Sequence, residues 1–334
     1  MRGLRITLVS PLARQIYSGM LPGVIAGHYR REEAEIDVAG LAERAYVQFH
    51  RGAIARFDAR ERKVVLDDGT EMAYDIASFN VGSRIDAAIP GAGYATAVKP
   101  FEPLLERLQQ GVFRRVAVVG GGAGGIEIAM ALRFQGAAVT VYSQEPLAPA
   151  ALAARAEPTL RRMGVDLRPG MAASAIEPGP QVLAGAARQE FDLVLLATGA
   201  APLPWLKSSG LERDAQGFAL VRETLQSVSH PEVFAAGDCA TLRGAPLPKS
   251  GVYAVRQGEA LAQTLRNLAA GQLPAAYRPQ RRALLLLSCG RRQAIAQWGG
   301  WTAQGAWVWR WKNRIDRKWM RRLSGALLKR RDGS

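Results

Sequence analysis

Three glycines in the segment RRVAVVGGGAGGIEIAMALRFQGAAVTVYS, residues 114–143, have the spacing that binds a dinucleotide. Gly120, Gly122 and Gly125 fit the pattern G-x-G-x-x-G. One glycine allows a tight turn, one lets the backbone approach a pyrophosphate, and one allows close packing of a helix on a strand. The apolar run at 116–119 suits a buried parallel strand before the turn, and the start of the following helix offers free N–H groups. The motif therefore predicts a dinucleotide site, in preference to a merely structural glycine-rich turn.

The end of the next strand bears on which dinucleotide would bind. A carboxylate that holds the ribose 2′-hydroxyl normally stands there, but this strand ends at Ser143. Glu145 follows two residues later, and the next arginine is Arg155, so a 2′-phosphate has no obvious local partner. These residues favour NAD over NADP.

A second strand end carries a glycine followed by a carboxylate. In the segment HPEVFAAGDCA an apolar strand at 233–236 stops at Gly237 and Asp238. A carboxylate in this position can accept hydrogen bonds from a sugar or ribityl hydroxyl. It can equally cap its own turn, which is the commoner role of a Gly-Asp pair seen alone.

The elements that position these residues belong to a chain of 334 residues, 48% hydrophobic and 22% charged, which is long enough for two domains. Residues 1–9 lack the pattern of a signal peptide, and the longest apolar run near the C-terminus, 283–287, is too short to span a bilayer. We therefore expect a cytoplasmic protein. The two cysteines, Cys239 and Cys289, are too far apart in sequence for a CxxC pair or a zinc cluster.

The C-terminal tail, residues 306–334, concentrates the positive charge. It holds ten Lys and Arg against two Asp, eight of the net charge of +15. Apolar residues recur every fourth position and predict a helical stripe of Trp307, Trp311, Ile315, Trp319 and Leu323. Basic residues are expected on the opposite face, namely Arg310, Arg314, Arg317 and Arg321. Tryptophan and basic residues on one helix suit an anionic membrane surface. The alternatives are a helix docked on its own domain or a nucleic-acid site, and no nucleic-acid fold accompanies the charge.

The order of four motifs carries a resemblance to a known family. YDIASFNVGS, GGGAGGIEIA, FDLVLLATGAAP and HPEVFAAGDCA follow one another along the chain. This series resembles the flavoproteins with two dinucleotide folds, the pyridine nucleotide-disulfide oxidoreductases. IYSGMLPGVIAGHY and PKSGVYAVRQGEALAQTLRNLAAG look most like the membrane-peripheral branch, the type II NADH:quinone dehydrogenases and sulfide:quinone reductases. Closest of all is the flavoprotein module associated with selenide,water dikinase, which suggests that enzyme as a partner.

The resemblance implies an α/β fold with two interleaved Rossmann-like domains, like glutathione reductase. Family members begin with a strand, a G-x-G-x-x-G loop and a helix that hold the FAD pyrophosphate, and only then reach a strand such as RITLVS. This first unit of about thirty residues is expected to be missing here. The domains are expected at 1–107 and 224–272 for FAD and at 108–223 for NAD(P)H, followed by a C-terminal region at 273–334.

The resemblance also assigns roles to single residues. Those expected to contact FAD or the nicotinamide dinucleotide are Ser10, Pro11, Ile54, Gly82, Gly120, Gly122, Gly125, Thr198, Gly199, Gly237 and Asp238. Catalytic roles fall to Glu127, in the first turn of the motif helix, where a carboxylate is also favourable for the helix dipole, and to Lys249. Tyr253 and Gln257 are expected beside the flavin, or form an ordinary helix face.

The implied function is an FAD-dependent NAD(P)H:acceptor oxidoreductase attached to the inner face of a membrane. The cysteine pairs that disulfide reductases and sulfide oxidisers use are lacking, which leaves a quinone or a similar small electron acceptor. The alternative is a nucleotide-binding remnant that holds little or no FAD and has a structural or regulatory role.

Overall fold

A computed structural model describes residues 4–147 and 149–324. Within these residues the chain forms short strands, which in chain order are β1 (Thr7–Ser10), β2 (Arg14–Ile16), β3 (Glu35–Asp37), β4 (Gln48–Arg51), β5 (Ile54–Asp58), β6 (Lys63–Leu66), β7 (Glu71–Ala73), β8 (Ala77–Phe79), β9 (Arg84–Ile85), β10 (Thr96–Ala97), β11 (Arg115–Val119), β12 (Ala138–Ser143), β13 (Asp166–Pro169), β14 (Ala175–Glu177), β15 (Gln181–Ala184), β16 (Ala187–Glu190), β17 (Leu193–Leu196), β18 (Ala200–Ala201), β19 (Ala219–Val221), β20 (Val233–Ala235), β21 (Ala240–Leu242), β22 (Leu284–Ser288), β23 (Ala294–Trp298) and β24 (Trp301–Gly305).

The α-helices of the same residues are α1 (Leu21–Ile25), α2 (Val38–Arg44), α3 (Phe101–Gln109), α4 (Ala123–Phe134), α5 (Ala150–Arg162), α6 (Gly251–Ala269) and α7 (Ala306–Leu323). None of them is long and apolar enough to cross a membrane. The chain divides into two compact units. Unit 1 comprises Met1–Arg14, Asp37–Arg84 and Ala200–Arg281, and unit 2 comprises Gln15–Ile36, Ile85–Gly199 and Arg282–Ser334.

Unit 2 is built around a five-stranded parallel sheet in the order β10-β17-β11-β12-β13. Strands β11 and β17 contain the continuous apolar runs VAVV and LVLL, as is typical of parallel strands that are covered on both faces. Val118 and Leu195 are fully buried and pair directly in the β11–β17 register. Ile126 of α4 is also fully buried and belongs to the same core cluster. The predicted strand-turn-helix-strand unit is therefore present as β11, α4 and β12, and the α/β fold with a Rossmann-like parallel sheet is confirmed.

Residues 151–190 contain more regular structure than the sequence suggested. From the sequence alone, this stretch is predicted to hold one helical piece at 159–163 and a short strand at 165–167. Instead α5 has 13 residues and begins at Ala150. The chain from 175 to 190 forms the antiparallel sheet β14-β15-β16. The cue that was missed is the spacing of Leu152, Ala156 and Leu160, which recur every fourth residue and are all buried.

Unit 1 has shorter strands joined around an aromatic core. Its parallel pairs are β1–β4, β8–β20 and β19–β21, and β5, β6 and β7 form an antiparallel sheet. Phe57 lies at the centre of the core, with its ring 4.8 Å from Phe79 in an edge-on contact and 5.4 Å from Tyr74 in a stacked one. Trp205 packs 5.1 Å from Phe79. This core supports the strand ends at Phe79 and Ala235, where predicted site residues follow.

The C-terminal part of unit 2 is a three-stranded antiparallel sheet followed directly by a helix. The sheet order is β22-β23-β24, and α7 begins at the residue after β24. Gly305 joins the two with φ of +142°, in a region that favours glycine. Val308 of α7 is fully buried against Ala294 and Ala296 of β23, so the helix packs on the sheet.

Candidate functional site

The glycine-rich loop is shaped by close backbone contacts at two of its three motif positions. Gly120 has φ of +132°, and a Cβ atom there would lie 2.2 Å from the Ala197 carbonyl oxygen. A Cβ atom on Gly125 would lie 2.2 Å from the Gly120 carbonyl oxygen. Both spaces are too small for any side chain. These two glycines therefore let the loop pack against the end of β17 and against itself.

Gly122 is different, because nothing lies within 4 Å of the place its Cβ would occupy. It is the N-cap residue of α4 and follows the carboxyl end of β11, where α/β sheets bind their ligands. The first N–H groups of a helix have no partner within the helix and are suited to bind a phosphate. The open space at Gly122 leaves room for a pyrophosphate, and the role of this residue in binding one stays a prediction.

The neighbouring strand ends complete this part of unit 2. Ser143, at the end of β12, is buried, and its hydroxyl donates to the Glu145 carbonyl oxygen at 2.6 Å, while Glu145 itself is exposed. After β17 the Thr198 hydroxyl donates to the Asp86 carbonyl oxygen, and the Asp86 amide donates to the Gly199 carbonyl oxygen at 2.8 Å. Thr198 and Gly199 thus stand at the same edge of the sheet as the glycine loop.

Glu127 lies on α4 and is half-buried. One of its carboxylate oxygens accepts the Ser288 backbone N–H at 2.7 Å, which connects α4 to the end of β22. Burial raises the pKa of this carboxyl to about 7, although the Lys312 ammonium and the Ser288 hydrogen bond oppose the rise. The group therefore changes its charge near neutral pH, which suits a residue that holds or releases a proton.

Five predicted site residues lie together in unit 1. Gly237, Asp238, Lys249, Tyr253 and Gln257 line one cleft between β20 and α6. The Gly237 amide donates to the Gln257 side-chain oxygen at 2.6 Å, and Asp238 is only 8% exposed. The sequence thus singled out residues that share one cleft although they are up to 20 positions apart.

One further observation at this cleft, an unpaired buried hydroxyl, supports a ligand there. The Ser250 hydroxyl lines it and is a buried polar atom that has no hydrogen-bond partner among the described residues. The Ser83 hydroxyl lies 3.4 Å from an Asp238 carboxylate oxygen. Buried hydroxyls in native proteins are normally paired, so an unpaired one at a cleft fits a hydroxyl-rich group such as a ribityl chain.

Lys249 forms the wall between this cleft and a second cavity. Its ammonium donates to the Ala240 carbonyl oxygen and to the Thr241 hydroxyl, and it lies 4.0 Å from the centre of the Phe218 ring. Burial lowers the pKa of the amine, while the Asp214 carboxylate opposes that shift. The second cavity has a volume of about 520 Å³ and is lined by both Asp214 and Lys249.

The four remaining predicted residues do not line that cleft. Ser10 is buried at the end of β1, where its hydroxyl donates to the Leu12 carbonyl oxygen at 2.9 Å, and Pro11 is exposed. Ile54 is half-buried at the start of β5. Gly82 has φ of +70°, and no atom lies within 4 Å of the position of a Cβ atom, so its surroundings are open.

Helix α7 differs from the expected arrangement of its faces. Trp307 and Trp311 are 48% and 37% exposed, as the membrane interpretation requires. The buried residues of α7 are Val308, Lys312 and Asp316, two of which are charged, and the half-buried Trp309 and Met320 also pack on the protein. The helix therefore both docks on its own unit and exposes tryptophans, two properties that the sequence analysis gives as alternatives. Residues 325–334 of the predicted tail segment lie outside the described residues.

Sequence reasoning missed the buried pair of Lys312 and Asp316. The signal was available, because a Lys and an Asp four residues apart on a helix can form an ion pair. Nothing in the pattern showed that the pair faces inward. In the described part of the chain no cluster of three or more His, Cys, Asp and Glu could hold a metal ion.

This chain is similar to known proteins in sequence and in fold. The frog protein ferroptosis suppressor protein 1 of Xenopus tropicalis is 26% identical over 279 residues, which cover 75% of this chain and 72% of the relative. The sulfide:quinone oxidoreductase of Aquifex aeolicus superposes with a TM-score of 0.80 at 17% identity, covering 99% of this chain and 88% of the other. NDH2 of Plasmodium falciparum, solved with NADH, gives 0.76 at 12% identity, covering 97% and 94%. These two structures share the fold.

A family model described as pyridine nucleotide-disulphide oxidoreductase matches residues 1–258. This match spans the glycine loop, the strand end at Thr198 and the cleft at Gly237 and Asp238. The chain therefore belongs to the pyridine nucleotide-disulphide oxidoreductase family.

Proposed function

We propose that this protein is an FAD-dependent NAD(P)H oxidoreductase that passes electrons to a quinone-like acceptor at an anionic membrane surface. Proteins of this family use FAD and NAD(P)H, as the sequence predicted. The observation that carries the proposal is the open glycine loop at Gly122, followed on the same helix by Glu127, whose pKa is about 7. A dinucleotide bound at this loop would place its pyrophosphate at the start of α4, and the ionisable carboxyl of Glu127 would lie within about two helical turns of it.

The nicotinamide dinucleotide would bind in residues 108–223. Gly120 and Gly125 shape the loop, and Gly122 admits the pyrophosphate. Glu145 is exposed two residues after the end of β12 and would bind a ribose hydroxyl, which supports NADH as the preferred donor.

FAD would bind in residues 1–107 and 224–272. Asp238 and Ser250 would accept or donate hydrogen bonds to its hydroxyl groups, and Lys249, Tyr253 and Gln257 would line its ring. When bound, the flavin accepts a hydride and releases its electrons to an acceptor. Reduction of a quinone to a hydroquinone also consumes two protons.

The acceptor is proposed to be a quinone because the chain lacks a pair of cysteines that could exchange electrons. Cys239 and Cys289 are both buried, and burial raises the pKa of each thiol, so neither is a reactive thiolate. Membrane attachment is proposed through residues 306–334, on the inner face of the membrane. The predicted association with selenide,water dikinase and the missing first unit stay predictions.

The visible spectrum of the purified protein tests the proposal. We expect flavin absorption that NADH bleaches under anaerobic conditions and that a short-chain quinone restores. Protein that stays colourless after incubation with FAD would contradict the flavin part. Flavin that NADH reduces but quinone does not reoxidise would contradict the acceptor part alone.

A second candidate is a nucleotide-binding protein without flavin. Two observations favour this candidate. Strands β1 and β8 belong to separate two-stranded sheets, β1–β4 and β8–β20. The sequence also contains a single G-x-G-x-x-G motif, which is assigned to NAD(P)H and not to FAD. This candidate predicts calorimetric binding of NADH with unchanged affinity in the presence and absence of FAD.

A further inference from the structure

Two tryptophans stand at the tip of the hairpin between β23 and β24, outside the tail that the sequence pointed to. Gly299 and Gly300 form the turn, and Trp298 pairs with Trp301 in the strand register. Directly paired residues point to the same face of a sheet. Their side chains are 54% and 47% exposed, so the tip presents two large apolar groups to solvent.

These tryptophans continue without a break into the exposed face of α7. The ring of Trp301 lies 6.4 Å from that of Trp307, and Trp307 stacks at 6.4 Å on Trp311 with 9° between the planes. Ile315, one turn further on, is 39% exposed. We call this row of five residues, from Trp298 to Ile315, the aromatic ladder.

The aromatic ladder is mounted on fixed elements. The Arg155 guanidinium of α5 donates to the Thr302 hydroxyl of β24 at 2.7 Å, and the Gln304 side chain donates to the Thr159 hydroxyl at 3.0 Å. Lys312 of α7 donates to the Gly19 carbonyl oxygen. The exposure of the tryptophans is therefore a property of the folded unit and does not come from a loose end.

The charges around the ladder identify what would cover it. Exposed basic residues of α7 surround it, namely Arg310, Arg314, Arg317, Lys318, Arg321 and Arg322. At the other end, exposed Arg282 lies beside the turn, close to where a Cβ on Gly299 would be. A second copy of this chain would bring an equally basic surface to the ladder and be repelled. An anionic bilayer matches both the charge and the preference of tryptophan for the headgroup region.

We propose that the hairpin tip inserts into the headgroup region of an anionic bilayer beside α7, so that Trp298 and Trp301 form a second membrane-contacting element. This inference rests on the proposed membrane attachment and adds a separate part of the chain to it. Vesicle binding can be measured without NADH, FAD or quinone, so its result is independent of the oxidoreductase proposal.

The test is co-sedimentation of the full chain with vesicles of phosphatidylcholine alone or mixed with phosphatidylglycerol. Trp298→Ser/Trp301→Ser is compared with the control Val112→Ser/Leu273→Ser, which removes two apolar side chains that are 90% and 86% exposed elsewhere. We expect the hairpin variant to lose roughly ten-fold or more in partitioning to anionic vesicles, equivalent to about 1.4 kcal/mol. The control should bind as the unaltered protein does, and Trp298→Phe/Trp301→Phe should retain binding because phenylalanine is also apolar.

Other outcomes separate the two proposals. Normal binding by the hairpin variant, together with loss of binding by Trp307→Ser/Trp311→Ser, would overturn the hairpin element and leave attachment through α7 intact. Normal binding by both variants, or no binding by the unaltered protein, would overturn membrane attachment itself. A dimer in solution that the hairpin variant dissociates would assign the ladder to a second copy and overturn the inference.

A second experiment applies if the Ser variant does not fold. Quenching of tryptophan emission by brominated lipid is then compared between the unaltered protein and the Phe-substituted protein. A loss of quenching in the Phe variant supports insertion, and unchanged quenching contradicts it.

Discussion

Lys312 and Asp316 form an ion pair, with 2.8 Å between the ammonium nitrogen and a carboxylate oxygen, that is enclosed by the protein. The two residues are only 6% and 4% exposed. Burial raises the pKa of the Asp316 carboxyl, and the Lys312 ammonium and a hydrogen bond with Tyr17 oppose that rise. The pair occupies the docked face of α7, where an apolar contact would be expected.

Removing one member of this pair should destabilise the protein strongly. Lys312→Met leaves a buried, unpaired carboxylate, and we expect the free energy of unfolding to fall by about 3–5 kcal/mol. Lys312→Met/Asp316→Leu removes both charges and should recover most of that loss. Urea denaturation of both variants measures the difference.

The matched control is Arg161→Met, which breaks an exposed pair of the same i,i+4 spacing with Glu157. We expect it to change the free energy of unfolding by less than about 1 kcal/mol. An equal loss in the single and double variants at positions 312 and 316 would mean that packing, and not the uncompensated charge, determines the effect.

Substitutions in the glycine loop should separate binding from folding. Gly122→Val places a side chain in open space, so the fold should persist while the pyrophosphate is blocked and NADH affinity falls. Gly120→Ala would meet the Ala197 carbonyl oxygen at 2.2 Å and should lower the melting temperature instead. Calorimetry with NADH and thermal unfolding measure the two effects. NADH affinity that is unchanged in Gly122→Val would show that the nucleotide binds elsewhere.

Stability should depend on pH through Glu127. Its folded-state pKa, about 7, is higher than the ordinary value of 4.5, so the folded protein binds more protons than the unfolded chain between these values. The contribution of Glu127 to the free energy of unfolding is therefore fully present below about pH 4.5 and is lost as the pH rises through 7. Glu127→Gln keeps an oxygen for the Ser288 N–H and removes the titration. The unaltered protein should lose up to about 3 kcal/mol relative to this variant across the interval. Parallel stability curves for the two proteins would contradict the raised pKa.

Retention of flavin should depend on Asp238. Asp238→Ala removes the buried carboxylate from the cleft, so we expect a lower ratio of flavin to protein after reconstitution with FAD. Asp75→Ala removes an exposed carboxylate of the same unit and is the control. Absorption spectra of desalted samples give this ratio. Equal flavin content in the two variants would show that the flavin binds outside this cleft.

Much of the fold follows from local sequence signals. The run Val116–Val119 predicts a buried strand because both faces of a parallel sheet are covered, and the structure confirms it as part of β11. Only the resemblance places the Gly-Asp pair at 237 and 238 beside residues of α6. Gly237 and Gln257 are 20 positions apart, and no helix or strand periodicity links residues at that separation. The shared cleft is a product of topology.

The sequence pattern does not predict which face of α7 docks on the protein, and the reason is physical. A helical pattern shows which residues share a face, and the usual rule assigns the apolar face to the interior. Here Lys312 finds Asp316 and the Gly19 carbonyl oxygen, and this compensation makes burial of a charged face possible. The partner lies 293 positions away along the chain, beyond the reach of any local pattern.

Gly305 joins β24 to α7 without a connecting loop, and the hydrogen bonds of Thr302 and Gln304 hold the strand just before it. The surface that would meet lipid is thus assembled before any encounter. An amphipathic segment that folds on contact pays the entropy of helix formation at that moment, whereas a preorganised one does not. Binding to vesicles should therefore add no signal from newly formed helix at β24 and α7 to the circular dichroism of the protein. The heat-capacity change of binding should reflect only the burial of aromatic surface.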